Sequence, residues 1–411
     1  MKRSRIVYFL FLFSGITALI YEVVWTRMLT LAFGHTVFSV SIVLASFMAG
    51  LGFGSYFSGH AIDHIGGKKT QSDNSSSLSK EFSEDLETSS LLLIYGWIEV
   101  ALFLLCLIVS LILFKFSVIY SWFSFFVPES IVVQNIFKSF LAFILMFIPA
   151  SLMGATLPII SQYYITDNIK LDARLGLLYG INTFGAALGC LLAGFFLIAN
   201  FGVLQTVLSA TVLNLFVGIS AIRIYQESLE SSKRLHFPRF TIPKISWEGD
   251  QWLWIVVSFV CGFTALSYEV LWTRLLIFST SSTVYSFSMM LGVFLIGIAL
   301  GSFLVVAVFR SSLNLRTVLI LLQAVIGIYV IGSLYNMELL LSTPWNSYNL
   351  QKPIFVFSRY FADSSALMLL PTIALGMSFP ILIKMISGGH EHVGTGTGQI
   401  YGANTFGAIL G

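Results

Sequence analysis

Residues 14–30 read SGITALIYEVVWTRMLT, and residues 261–277 read CGFTALSYEVLWTRLLI. They are one segment written twice, at an offset of 247. The match carries into the next apolar run, where Gly50, Gly54 and Ser55 return as Gly297, Gly301 and Ser302. Later the offset is 222: Pro149, Gly154 and Pro158 return as Pro371, Gly376 and Pro380, and YGINTFGAALG at 179–189 returns as YGANTFGAILG at 401–411. The Ser-rich acidic segment 70–90, TQSDNSSSLSKEFSEDLETSS, occurs only in the first copy and accounts for most of the change. Self-similarity on this scale means two copies of one structural unit.

Composition sets the solvent. The chain is 57% hydrophobic and 10% charged, against about 25% charged residues in a soluble domain. So few charges cannot cover a water-facing surface. The apolar runs are long and do not alternate, which excludes a β-barrel and predicts membrane-spanning helices. Ten spans are expected near 6–26, 37–57, 91–114, 136–160, 175–199, 203–222, 252–273, 284–309, 317–335 and 359–383. An eleventh begins near Gln399 and breaks off at Gly411, so a fragment is expected. The start, Lys2-Arg3-Ser4-Arg5 before an apolar run, imitates a signal peptide, but a near copy of this run deep in the chain argues against cleavage.

Charge placement gives the orientation. With the N-terminus inside, sixteen of the 22 lysines and arginines fall on cytoplasmic segments. The six exceptions are Arg27, Lys115, Lys138, Arg274, Lys352 and Arg359. That asymmetry obeys the positive-inside rule and points to the inner membrane with a cytoplasmic N-terminus. Segment 70–90 reads as a disordered cytoplasmic loop. Residues 223–250, with Pro238 and Pro243, read as a mixed-charge linker between a first repeat, 1–222, and an incomplete second, 251–411. Six spans per copy is an even number, so both copies keep the same direction. The fold class expected is an all-α membrane protein, a major facilitator-like bundle of two parallel six-helix repeats with a central site. A net charge of +3 without dense basic runs excludes a nucleic-acid partner. Cys106, Cys190 and Cys261 lie in apolar runs at spacings that fit neither a disulfide nor a metal site.

Five groups of residues are candidates for function. The loop GHAIDHIGGKK, 59–69, resembles the signature loop of the major facilitator superfamily through Gly59, Asp63, Gly66, Lys68 and Lys69, with His64 where a basic residue is usual. It is either a polar turn or a conformational latch in which Asp63 faces the start of span eleven, GTGTGQ. Tyr21, Glu22, Trp25 and Arg27 recur as Tyr268, Glu269, Trp272 and Arg274. Glu22 and Arg27 lie about 140° apart on a helix and should seek other partners. This element is either an aromatic membrane anchor or a paired functional site. Glu99 is a carboxylate inside span three, whose repeat counterpart is the uncharged Gln323. Asp363 and Arg359 are placed for a local ion pair. Asn182, Gly185 and Gly189 recur as Asn404, Gly407 and Gly411, a spacing suited to close helix packing. The His-containing GGHEHVGTGTG at 388–398 reads as a solvated loop, without a metal site.

With those residues set out, the chain resembles the membrane part of the spermidine synthase-like membrane proteins, fusions of a major facilitator-like domain with a spermidine synthase. The resemblance rests on SGITALIYEVVWTRML, VLASFMAGLGFGSYFSG, PASLMGATLPII, YGINTFGAALG and their second-half counterparts, which span almost the whole chain. It implies a fused or associated catalytic domain that uses decarboxylated S-adenosylmethionine. No residue here matches that domain's cofactor loop, so this chain is expected to hold no cofactor and no catalytic residue of its own.

The function expected is binding or transport of a small, cationic, polyamine-like solute in a lipid bilayer. Glu22, Glu99 and Glu269 are the candidate cation contacts, with Tyr21, Tyr268 and Gln323 beside them. Two alternatives stay open: a membrane anchor for an aminopropyltransferase, and a general major facilitator-type transporter of other cargo.

Overall fold

A computed structural model describes residues 2–34, 36–66, 77–125, 128, 130–163, 171–229, 251–280, 283–311, 313–335, 353–387 and 393–411. The described residues are helical apart from short connections. The helices are α1 (Lys2–Phe33), α2 (Thr36–Gly66), α3 (Ser77–Phe114), α4 (Phe116–Ser124), α5 (Ile131–Tyr163), α6 (Leu171–Leu192), α7 (Ile198–Leu229), α8 (Gln251–Thr280), α9 (Thr283–Arg310), α10 (Leu315–Tyr335), α11 (Pro353–Ser387) and α12 (Val393–Leu410). A π-helical turn, Ala193–Leu197, joins α6 to α7.

Nine stretches among the described residues are long and apolar enough to cross a membrane. One of them, Gly176–Glu227, holds two crossings. It bends at Gly202, whose φ of 79° only glycine adopts freely. All ten expected spans are therefore present. The eleventh begins at Val393, earlier than expected, and α4 is a short helix that hydropathy did not single out. Of the expected loop 70–90, residues 77–90 form the first turns of α3 and residues 70–76 lie outside the described residues. Of the linker 223–250, residues 223–229 finish α7 and the rest lies outside the described residues.

Packing reproduces the repeat contact by contact. In the first half α1 lies on α6 and α2 on α5; in the second, α8 lies on α12 and α9 on α11. A Cβ added at Gly15 would strike the backbone of Asn182, and one at Gly262 would strike Asn404. Gly54 meets Ser151 as Gly301 meets Ile373. Every one of these pairs is related by the two offsets read from the sequence. The halves then join along two seams, α2 with α12 and α9 with α6. A two-fold axis along the helices produces that exchange of partners. The chain is thus a helical membrane protein, a bundle of two repeats that run in the same direction.

Prolines fall inside α5 at Pro149 and Pro158 and inside α11 at Pro371 and Pro380. Each removes one backbone donor, which buried helices tolerate in lipid because neighbours satisfy the freed groups. Apolar side chains also cover the outside. Leu104, Ile144, Phe216, Leu304 and Ile328 are all exposed, as lipid contact requires. The central core draws on both repeats, with Tyr21, Trp25 and Phe47 from one and Trp272, Met289 and Met290 from the other.

Candidate functional site

The site is built on α1. Tyr21 and Trp25, one turn apart, stack with ring centroids 5.6 Å apart and are fully buried. The Tyr21 hydroxyl donates to Asn214 Oδ1 at 2.9 Å, and Asn214 Nδ2 donates to Glu99 Oε2 at 2.6 Å. Trp25 Nε1 donates to Ser110 Oγ at 2.8 Å. These bonds tie α1 to α3 and α7. Ser14 and Tyr95 flank the Glu99 carboxyl, which no solvent reaches. Two buried aromatics in a hydrogen-bonded network are not a lipid-facing belt, so the membrane-anchor alternative does not describe Tyr21 and Trp25.

The second half repeats the stack among its described residues. Tyr268 and Trp272 have ring centroids 5.6 Å apart, but Tyr268 is half-buried. Gln323 turns its Nε2 to Ser378 Oγ on α11, at 3.1 Å. Glu99 and Gln323, expected as counterparts, therefore serve different contacts.

Glu22 and Glu269 do converge. They are 3% and 2% exposed, and Oε1 of each is buried with no hydrogen-bond partner. The two carboxyls lie within electrostatic reach of each other, and both reach Cys190 on α6. Glu22 also reaches Tyr401 on α12. Cys190 of the first repeat and Tyr401 of the second thus lie within electrostatic reach of Glu22. Among the described residues neither carboxyl has an ion-pair partner; Arg27 is half-buried and Arg274 exposed on their own helices. The one local ion pair expected is present, Arg359 Nε to Asp363 Oδ2 at 3.1 Å.

Around the pair, Cys190 Sγ donates to the Ser288 carbonyl at 3.4 Å, while Ser288 Oγ is buried without a partner. The repeat-related Tyr179 and Tyr401 are linked by Phe379, with centroids 4.8 Å and 5.6 Å away. Sequence reading did not single out Asn214, Cys190 or Tyr401. Asn214 carried a usable signal, as an amide inside an apolar span. Cys190 and Tyr401 look like packing residues until the helices are assembled.

The expected packing residues do pack. Gly185 and Gly189 meet the backbones of Leu12 and Ile16, and Gly407 meets Phe259. Asn404 Nδ2 donates to the Ser258 carbonyl at 3.2 Å, joining α12 to α8. All three cysteines are buried and free. In the expected latch, Gly59 is buried and Gly66 ends α2; the side chains of Asp63, Lys68 and Lys69 lie outside the described residues. The glycines of α12 do approach α2, with Gly398 against the Ser55 and Tyr56 backbone. Of the expected loop 388–398, residues 388–392 lie outside the described residues. No cluster of three metal-ligating side chains occurs among the described residues. An apolar groove of about 430 Å³ lies apart from the acid pair, lined by Phe53, Tyr56, Phe147 and Phe406 of α2, α5 and α12.

No protein-family model matches the chain, and no curated protein matches it. Neither comparison supports the spermidine synthase link that the sequence resemblance implied. Among solved structures, the fucose:proton symporter of E. coli is similar over 97% of this chain and 96% of its own, at 12% identity and a TM-score of 0.37. At that distance the bundle is defined by its own helix packing, as described above.

Proposed function

We propose that this chain is the membrane domain of a major facilitator-type transporter that moves a small cationic solute through the site between its two repeats. The observation that carries this reading is the pair Glu22 and Glu269, two buried carboxyls from opposite halves, each with an Oε1 that has no hydrogen-bond partner. Carboxylates in a membrane interior are costly unless they serve a ligand or a partner. In low dielectric they attract an ammonium far more strongly than in water.

The seams support the same reading. Gly52 lies against Thr405 on one, and Gly180 against Phe303 on the other. Small residues let helices approach closely and shift against each other. Two equivalent seams around a central site suit rocking of the halves, which exposes the site first to one side and then to the other. A polyamine as the cation is the narrower form of the proposal and rests on the sequence resemblance alone. The same holds for a fused or associated aminopropyltransferase domain with decarboxylated S-adenosylmethionine. Inner-membrane placement with a cytoplasmic N-terminus rests on the charge pattern.

The test is uptake into liposomes of labelled spermidine and tetraethylammonium, with mannitol as the uncharged comparison. Saturable uptake of a cation is expected, falling about tenfold or more in Glu22→Gln and Glu269→Gln, which equals about 1.4 kcal/mol of binding or more. Monodisperse protein that takes up neither cation would overturn the proposal. So would uptake that both variants leave unchanged.

A further inference from the structure

We propose that α4 lies in the membrane interface and that Lys138, beside it, binds the phosphate of an anionic phospholipid. The site sits three crossings from the N-terminus and does not involve the central acids.

Span length places α4 outside the hydrocarbon. The apolar part of α3, Ser90–Phe114, has 25 residues and is about 37 Å long as helix. The hydrocarbon core is about 30 Å thick. The helix breaks at Lys115, whose carbonyl then accepts the N–H groups of Val118 and Ile119 at 3.0 Å and so starts α4. The returning helix α5 has 33 residues, about 50 Å, and overhangs the core as well. Lys138 stands about 10 Å inside its start, near the edge of the hydrocarbon.

The short helix has two faces. Phe116 and Tyr120, one turn apart, are buried. Phe116 stacks on Phe33 at the end of α1, with ring centroids 6.0 Å apart, and Tyr120 leans on Phe137 of α5 at 6.4 Å. Val118 and Trp122, also one turn apart, are 58% and 79% exposed. An indole so open suits the headgroup level of a bilayer, where its apolar body and its N–H both find partners.

Charge complementarity identifies the occupant. Lys115 and Lys138 are two of the six cations that depart from the positive-inside pattern. Between them the sequence holds a single carboxylate, Glu129, which lies outside the described residues. Among the described residues neither lysine has an ion-pair partner. Lys138 is half-buried, with its Nζ 4.6 Å from the centroid of the Tyr120 ring. The Tyr120 hydroxyl is buried and has no hydrogen-bond partner. A phosphate answers both groups. Its oxygens accept a charge-assisted bond from the ammonium, and drawing the lysine tip off the ring brings the phenol an acceptor. Acyl chains below that phosphate then cover Val118 and Trp122. A soluble anion gains nothing from this apolar face, so the lipid is the occupant it selects.

Fluorescence quenching in nanodiscs by lipids brominated on their acyl chains tests the site. The emission of Trp122 is the parent signal minus that of Trp122→Phe. Brominated phosphatidylglycerol is expected to quench it at an about fivefold lower mole fraction than brominated phosphatidylcholine, which equals about 1 kcal/mol for one lysine at a charged surface. In Lys138→Gln the two lipids should quench alike. Inorganic phosphate at constant ionic strength should leave the parent's preference intact. Failure of both lipids to quench Trp122 would overturn the proposal, since α4 would then be shielded from the bilayer. Equal quenching by the two lipids in the parent would do the same, as would a preference that monodisperse Lys138→Gln leaves unchanged. A preference that phosphate abolishes would assign the site to the free anion and overturn the lipid as its occupant.

Discussion

Asn214 of α7 donates its side-chain amide to Glu99 of α3 at 2.6 Å, the shortest of the side-chain bonds that join α1, α3 and α7. The same amide group accepts the Tyr21 hydroxyl, so one residue holds a donor and an acceptor from two other helices. Removing it takes one hydrogen bond from each.

Asn214→Ala is therefore expected to destabilise the bundle by about 1–3 kcal/mol, the usual cost of leaving buried polar groups unpaired. Glu99→Gln should cost less, because an amide oxygen still accepts the bond. Asn214→Leu combined with Glu99→Leu should recover part of the loss, since apolar groups then replace both partners. Thermal unfolding in detergent, followed by monodispersity, checks the order of the three variants.

Gly189 packs against the Ile16 backbone, whereas nothing stands within 4 Å of a Cβ added at Gly327. Gly189→Leu should lower the melting temperature markedly, through overpacking of about 1–3 kcal/mol or more. Gly327→Ala should be neutral or stabilising by up to about 1 kcal/mol, because alanine is the better helix former. Equal effects from the two substitutions would contradict the assigned helix contacts.

We propose that Asp63 latches the end of α2 against the start of α12. Gly398 meets the Ser55–Tyr56 backbone about two turns away, which brings the two helices together near that end. Asp63→Asn should loosen the closure and speed maleimide labelling of a Ser58→Cys thiol. Cys106, Cys190 and Cys261 are buried and should stay unlabelled in the folded protein, leaving the introduced thiol as the reporter. An unchanged labelling rate counts against the latch.

Parallel repeats place the start of α1 and the segment between α7 and α8 on the same side of the membrane. Reporter fusions at the N-terminus and near residue 240 should both report the cytoplasm, as the charge pattern requires. Opposite readings would make the duplication inverted.

The bundle was legible in the sequence because a repeat constrains more than any single motif. Gly15 with Asn182 and Gly262 with Asn404 are four residues that two offsets already pair. The acid pair was legible only in part. Glu22 and Glu269 stood out as carboxylates inside apolar runs, but nothing local shows whether such a residue faces lipid headgroups or the bundle axis. That depends on how α1 and α8 rotate against α6 and α12, which backbone contacts between small residues set. Gln323 shows the limit of repeat logic. It occupies the place of Glu99 and bonds to Ser378 on α11, whereas Glu99 bonds to Asn214 on α7, a residue whose counterpart at the offset of 222 falls past Gly411.

The exchange of partners at the two seams has a genetic corollary. Any side chain that one six-span ancestor pointed at its symmetry axis would have met its own copy in a homodimer, as every isologous contact does. A single glutamate codon then suffices for two facing acids. Both positions are glutamate in this chain, whereas the position of Glu99 carries Gln323 in the other half.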